Sequence, residues 1–138
     1  LHINTPGGVI DGALFIIDAI NKTPAATTAF LTGTVASAGT IIALACNEII
    51  VSDHITFMIH NYSAAGISGK GHELKAYQQF TDSNLNKAFK SFYKGFLTED
   101  EMNKVLDGQD LWMASDEVKE RWTKKLAEDA LEKLTKKR

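Results

Sequence analysis

The sequence predicts an α/β domain with a largely parallel sheet, and three observations carry that prediction. Short apolar runs rich in Ile, Val and Phe alternate with stretches whose apolar residues recur at helical spacing. Turns of small residues stand at the joints, at Thr5-Pro6-Gly7-Gly8 and from Gly33 to Ser37. At 138 residues the chain matches one core, so a single domain is expected over residues 1–138. Strands that alternate with helices pair in parallel, because the helix carries the chain back across the sheet.

Taken in order, Leu1-His2-Ile3-Asn4 reads as the end of a strand entering the first turn, and N-terminal strands are expected upstream of Leu1. Ala13, Leu14, Ile16, Ile17, Ala19 and Ile20 give the next segment an apolar helical surface, and Pro24 ends it. Ala29-Phe30-Leu31 reads as a short buried strand, Gly33 to Ser37 as a tight segment, and Ala38 through Ala45 as a hydrophobic helix. Ile49-Ile50-Val51 and Thr56-Phe57-Met58-Ile59 follow as strands separated by Ser52-Asp53-His54, with a Gly-containing loop over 64–71.

From Glu73 to about Phe96 no proline interrupts a pattern of Leu74, Tyr77, Phe80, Leu85, Ala88, Phe89 and Phe92, which predicts one long amphipathic helix. Thr98 and Glu101 form a capping-box pair, starting a short helix from Glu99 to about Leu106. Ser115 is expected to cap another, with Asp116 and Glu117 placed where the helix dipole favours acids. The tail 123–138 sets Ala127, Ala130, Leu131 and Leu134 among six basic and three acidic residues, and reads as a solvated terminal helix.

Composition narrows the function classes. A net charge of −2 and a pI of about 6.1 supply no basic field for a phosphate backbone, so nucleic acid is not an expected partner. No run approaches the roughly 18 apolar residues of a membrane span, and no basic region precedes an apolar one at the start, so neither membrane nor secretion is expected. The single Cys46 excludes an intrachain disulfide and a Cys-rich zinc site, and suggests a reducing, cytoplasmic setting. No His, Asp or Glu cluster has ligand spacing, so no metal or other cofactor is expected.

Ser37 lies in Val35-Ala36-Ser37-Ala38-Gly39, small residues that allow a sharp turn directly before a hydrophobic helix. A nucleophile placed there would have free helix N–H groups and the positive dipole end beside a developing oxyanion. On local sequence alone a helix N-cap is the commoner role for such a serine. A serine nucleophile needs a base, most often histidine. Of His2, His54, His60 and His72, only His60 ends an apolar strand, where α/β sheets gather their chemistry; a histidine there is structural at least as often.

Four motifs in order, Asn4-Thr5-Pro6-Gly7-Gly8-Val9-Ile10, Ala36-Ser37-Ala38-Gly39, Met58-Ile59-His60-Asn61 and Asp110-Leu111-Trp112-Met113-Ala114-Ser115, resemble those of the Clp protease proteolytic subunit (ClpP) family. The resemblance implies a crotonase-like stack of ββα units with the long helix projecting as a handle. It implies a serine endopeptidase in which Ser37 attacks, His60 is the base and Asp110 orients it, with Gly8 and Ala38 N–H groups forming the oxyanion hole. Val9 and Ile10 would pair with an extended peptide substrate. The implied assembly is a homo-oligomer of stacked heptameric rings, fed with unfolded protein by an AAA+ ATPase.

The chain departs from the family pattern at Asn61-Tyr62, where a proline is usual two residues after the histidine, and at Arg121-Trp122 in place of Gly-Leu. With its charged tail it resembles the divergent relatives in phage genomes, for which head maturation without an ATPase is the expected role. Two other readings stand beside the protease: a crotonase-type acyl-CoA enzyme, which would not need Ser37, His60 and Asp110, and an inactive ring-forming subunit.

Overall fold

A computed structural model describes residues 1–64 and 66–136; residue 65 of the expected loop and residues 137–138 of the expected tail lie outside that range. The elements run β1 (His2–Thr5), α1 (Ile10–Lys22), β2 (Thr28–Ala36), α2 (Ala38–Leu44), β3 (Glu48–Val51), β4 (Thr56–Ile59), α3 (Gly71–Phe92), α4 (Glu99–Leu106), β5 (Leu111–Met113) and α5 (Ser115–Thr135). This is a mixed α/β fold with one sheet and a long helix.

β2 organises the sheet. β1 lies parallel along one side of it, and the other side is shared: Thr28–Leu31 pair with β3, and Thr34–Ala36 pair with β4, both parallel. β5 closes the far edge antiparallel to β4. The long strand corrects the sequence expectation of a short one followed by a tight segment. Gly33 reads as a break, yet its positive φ of 60° is absorbed within the strand. The β1 register shifts between Ile3 and Thr5, and Asn4 Oδ1 there accepts the Thr34 N–H at 3.1 Å. A Cβ on Gly33 would lie 2.9 Å from that same oxygen, so the bulge and the glycine require each other.

The core gathers on and around the sheet. Leu31, Val35, Phe57 and Ile59 from β2 and β4 are fully buried with Ile41 of α2, Val105 of α4 and Val118 of α5. Each large apolar side chain so buried stabilises the fold by about 1.5–3 kcal/mol. Cys46 is buried among them.

The helices differ in how much they bury. α4 starts as expected, with Thr98 accepting the Glu101 N–H at 3.2 Å and Glu101 accepting the Thr98 N–H at 2.9 Å. In α3 only Phe89 is buried among the described residues, while Tyr77 and Phe80 are 54% and 69% exposed. α3 ends at Phe92, short of the expected Phe96, which is instead buried in the core beyond Gly95. Ser115 does not cap: α5 takes its N-cap at Ala114, and the buried Ser115 hydroxyl accepts the Ile55 N–H at 3.0 Å. From there one continuous helix runs to Thr135.

Arg121 joins α5 to α4. Its guanidinium donates to both carboxylate oxygens of Glu101 at 2.9 and 2.6 Å, to the Phe96 carbonyl at 3.2 Å and to Glu117 at 3.0 Å. The bidentate pair holds the Glu101 carboxyl down at about 2 and pushes the guanidinium up. These groups line a cleft of about 600 Å³.

Candidate active site

The site is assembled where parallel strands end. β2 and β4 are in register through Ala36 and Met58, so the residues just beyond them, Ser37 and His60, leave the sheet side by side. The Ser37 N–H continues the ladder by donating to the Met58 carbonyl at 2.8 Å. The chain then turns sharply into α2, with Ser37 at φ 54°, ψ −124°, the one positive φ among the described non-glycine residues. Such a conformation costs about 1–3 kcal/mol and persists only when its surroundings enforce it.

The Ser37 side chain makes no cap bond to α2. Its Oγ lies 2.7 Å from His60 Nε2, at hydrogen-bonding distance. This answers the N-cap alternative left open by the sequence: the hydroxyl points at an imidazole and away from the helix.

The glycine turn packs against the other side of the serine. Thr5 Oγ1 accepts the Gly7 N–H at 3.1 Å, closing the turn, and Gly7 adopts φ 108°. A Cβ on Gly7 would come within 2.6 Å of Ser37 Cβ and 3.1 Å of its Oγ. Gly7 was not singled out from the sequence, where Gly8 was preferred; the signal was the Gly-Gly pair, and only the fold tells the two apart. Gly8 and Ala38 both border the cleft in front of Ser37. Ala38 is the first residue of α2, a position whose N–H has no acceptor within the helix.

That cleft, about 510 Å³, also contains Val9, His60 and Tyr62 and is floored by Ile41, Leu85 and Phe89. Val9 is extended and 76% exposed, but Ile10 is already the first residue of α1. The Val9 carbonyl accepts the Ala13 N–H at 3.2 Å, while the Ile10 N–H, at the first position of α1, has no acceptor within the helix.

Asp110 stands apart. The β4–β5 register pairs Ile59 with Leu111, so the next position along brings Asp110 opposite His60. Its side chain is exposed, and among the described residues no hydrogen bond joins it to His60. The other histidines lie elsewhere: His2 stacks on Phe30 and His72 is exposed on α3.

Tyr62 ties the loop after His60 to α3 through a hydrogen bond from its hydroxyl to Asp82. That bond pushes the phenol up to about 12. Asn61 anchors the same loop to α4 by donating to the Leu106 carbonyl at 3.1 Å. Among the described residues no group of three His, Cys, Asp or Glu side chains converges to hold a metal ion, and no helix is long and apolar enough to cross a membrane.

The sequence model described as "Clp protease" matches residues 1–121. The chain belongs to the Clp protease family. Two curated relatives, each named ATP-dependent Clp protease proteolytic subunit 1, come from Chlamydia caviae and Chlamydia abortus. Each is 29% identical over 126 residues, covering 86% of this chain and 63% of the relative. The chain therefore spans under two thirds of the length of these Clp relatives.

Proposed function

We propose that this chain is the proteolytic part of a Clp-type serine endopeptidase. The observation that supports it most is the 2.7 Å approach of Ser37 Oγ to His60 Nε2 at the mouth of an apolar-floored cleft. In this reading His60 takes the Ser37 proton as Oγ attacks the scissile carbonyl, then returns it to the leaving amine. The Gly8 and Ala38 N–H groups receive the oxyanion. Asp110, opposite His60 in the strand register, turns inward to accept the His60 Nδ1 proton and hold the tautomer that leaves Nε2 free to act as base. A peptide lies extended beside Val9 and Ile10, with an apolar side chain seated against Ile41, Leu85 and Phe89.

The exposed aromatic face of α3 is the handle through which copies associate into stacked rings, since Tyr77 and Phe80 leave a large apolar surface in water. The relatives' names contain "ATP-dependent"; for this chain a Clp ATPase that delivers unfolded protein is part of the proposal. The test is hydrolysis of an unstructured peptide by the wild type and by Ser37→Ala. The variant should fold and lose turnover, because the Ser37 side chain makes no cap bond to α2 and its removal leaves the backbone of the turn unchanged. Turnover retained in Ser37→Ala would defeat the proposal.

A further inference from the structure

Two polar side chains beside the Ser37–His60 pair are sequestered from water and bonded to each other. Thr40 of α2 has no exposed surface, and Tyr93, immediately after α3, is 2% exposed; their hydroxyl oxygens are 2.6 Å apart. A threonine hydroxyl carries one proton. Thr40 donates its proton to the Ser37 carbonyl at 2.7 Å, so the Tyr93 hydroxyl is the donor to Thr40. Burial pushes the Tyr93 phenol up from its ordinary value, which keeps that proton in place at neutral pH. The Thr40 N–H donates to the same Ser37 carbonyl at 2.9 Å.

What this chain of hydrogen bonds holds is a single peptide unit. The Ser37 carbonyl and the Ala38 N–H belong to one plane and, across a trans bond, point in opposite directions. With the carbonyl drawn toward Thr40, the Ala38 N–H is turned the other way, on the side of the cleft that Ala38 borders. The unit follows a residue at φ 54°, a conformation its surroundings must enforce. On one side Met58 holds the Ser37 N–H; on the other, Thr40 and Tyr93 hold its carbonyl.

We propose that Thr40 and Tyr93 are positioning residues that lock the Ser37–Ala38 peptide unit, and with it the N–H that receives the oxyanion. The inference rests on the reading of Ser37 as nucleophile. Because Tyr93 is the C-cap of α3, the seating of the handle helix is coupled to the geometry of the nucleophile. Neither hydroxyl touches the reacting atoms: the Tyr93 ring forms part of the cleft wall while its oxygen is turned to Thr40.

The experiment compares wild type, Tyr93→Phe, Thr40→Val and Thr40→Ser in the intact protein, measuring kcat and KM on a fluorogenic peptide and the rate of fluorophosphonate labelling. Thr40→Val should lower kcat and the labelling rate by about 10²-fold, the cost of a misdirected oxyanion donor, with KM unchanged. Tyr93→Phe should lower them about 10-fold, as expected for one hydrogen bond. Thr40→Ser, which keeps the hydroxyl, should restore most of the rate. Wild-type kcat in both Thr40→Val and Tyr93→Phe would overturn the proposal, as would a loss confined to KM or one that Thr40→Ser fails to rescue. A wild type that labels at no serine defeats the nucleophile and this proposal together; a wild type that labels while the variants match it defeats this proposal alone.

Discussion

Gly7→Ala is the substitution whose consequence follows most directly from the coordinates. The added Cβ would stand 2.6 Å from Ser37 Cβ and 3.0 Å from the Ala36 carbonyl oxygen, whereas carbon atoms in contact settle at about 3.5–4.0 Å. The Gly-Gly turn and the serine must therefore separate by about 1 Å. The φ of 108° at Gly7 adds about 1–3 kcal/mol of backbone strain, enough to lower Tm by several degrees. A displacement of about 1 Å at the reacting groups costs on the order of 10² in rate, or about 2.7 kcal/mol in the barrier. The assay is the second-order rate of fluorophosphonate labelling, with Tm measured in parallel. Gly7→Ala should remain folded but label about 10²-fold more slowly. A variant that labels at the wild-type rate would refute the claim that this turn is packed against the nucleophile.

Other expectations follow from the same geometry. Asp110→Asn should lower kcat by on the order of 10⁴ through loss of tautomer control, while Asp107→Asn, one turn nearer α4, should leave it nearly unchanged; steady-state kinetics on a peptide decides, and the reverse ranking would move the role to Asp107. The Glu101 carboxyl, held at about 2 against an ordinary 4.5, contributes stability that is complete above pH 4.5 and is lost as pH falls toward 2. Denaturant titrations should show that slope in the wild type and a flatter one in Glu101→Gln, which is also less stable at neutral pH. Tyr77→Glu combined with Phe80→Glu should abolish the self-association proposed for α3, read by sedimentation against wild type, while leaving Tm close to that of wild type. An unchanged sedimentation profile would remove α3 from the interface.

Much of the fold could be read locally, and the exceptions share a cause. α1 and α4 carry their own start and stop signals: apolar spacing closed by Pro24 in one, and the Thr98–Glu101 capping box in the other. The sequence makes β2 look short because Gly33 has the signature of a turn; its partner Asn4, 29 residues earlier in the chain, is what makes that glycine compatible with a strand. Ser115 has the signature of a cap, but its hydroxyl is used by Ile55 from another element. β5 has only three residues and exists through its pairing with β4. Local rules fail where a distant residue decides the outcome.

The same division runs through the site. Local sequence left Ser37 and His60 with structural readings at least as common as catalytic ones, and the four-motif resemblance is what singled them out; the fold sets them side by side because β2 and β4 are parallel neighbours. Gly7, Thr40 and Tyr93 carry no mark of their roles in the sequence: a glycine in a Gly-Gly turn, a threonine in a hydrophobic helix and a tyrosine at a helix end acquire their meaning only from contacts across the fold.

The most direct test of the account is to find which residue a fluorophosphonate modifies. Intact protein treated with a fluorescent fluorophosphonate, digested and sequenced by mass spectrometry should carry one adduct, on Ser37, and the labelling should fall by several orders of magnitude in His60→Ala. An adduct on a different serine, or Ser37 labelling that proceeds at the same rate without His60, would contradict it.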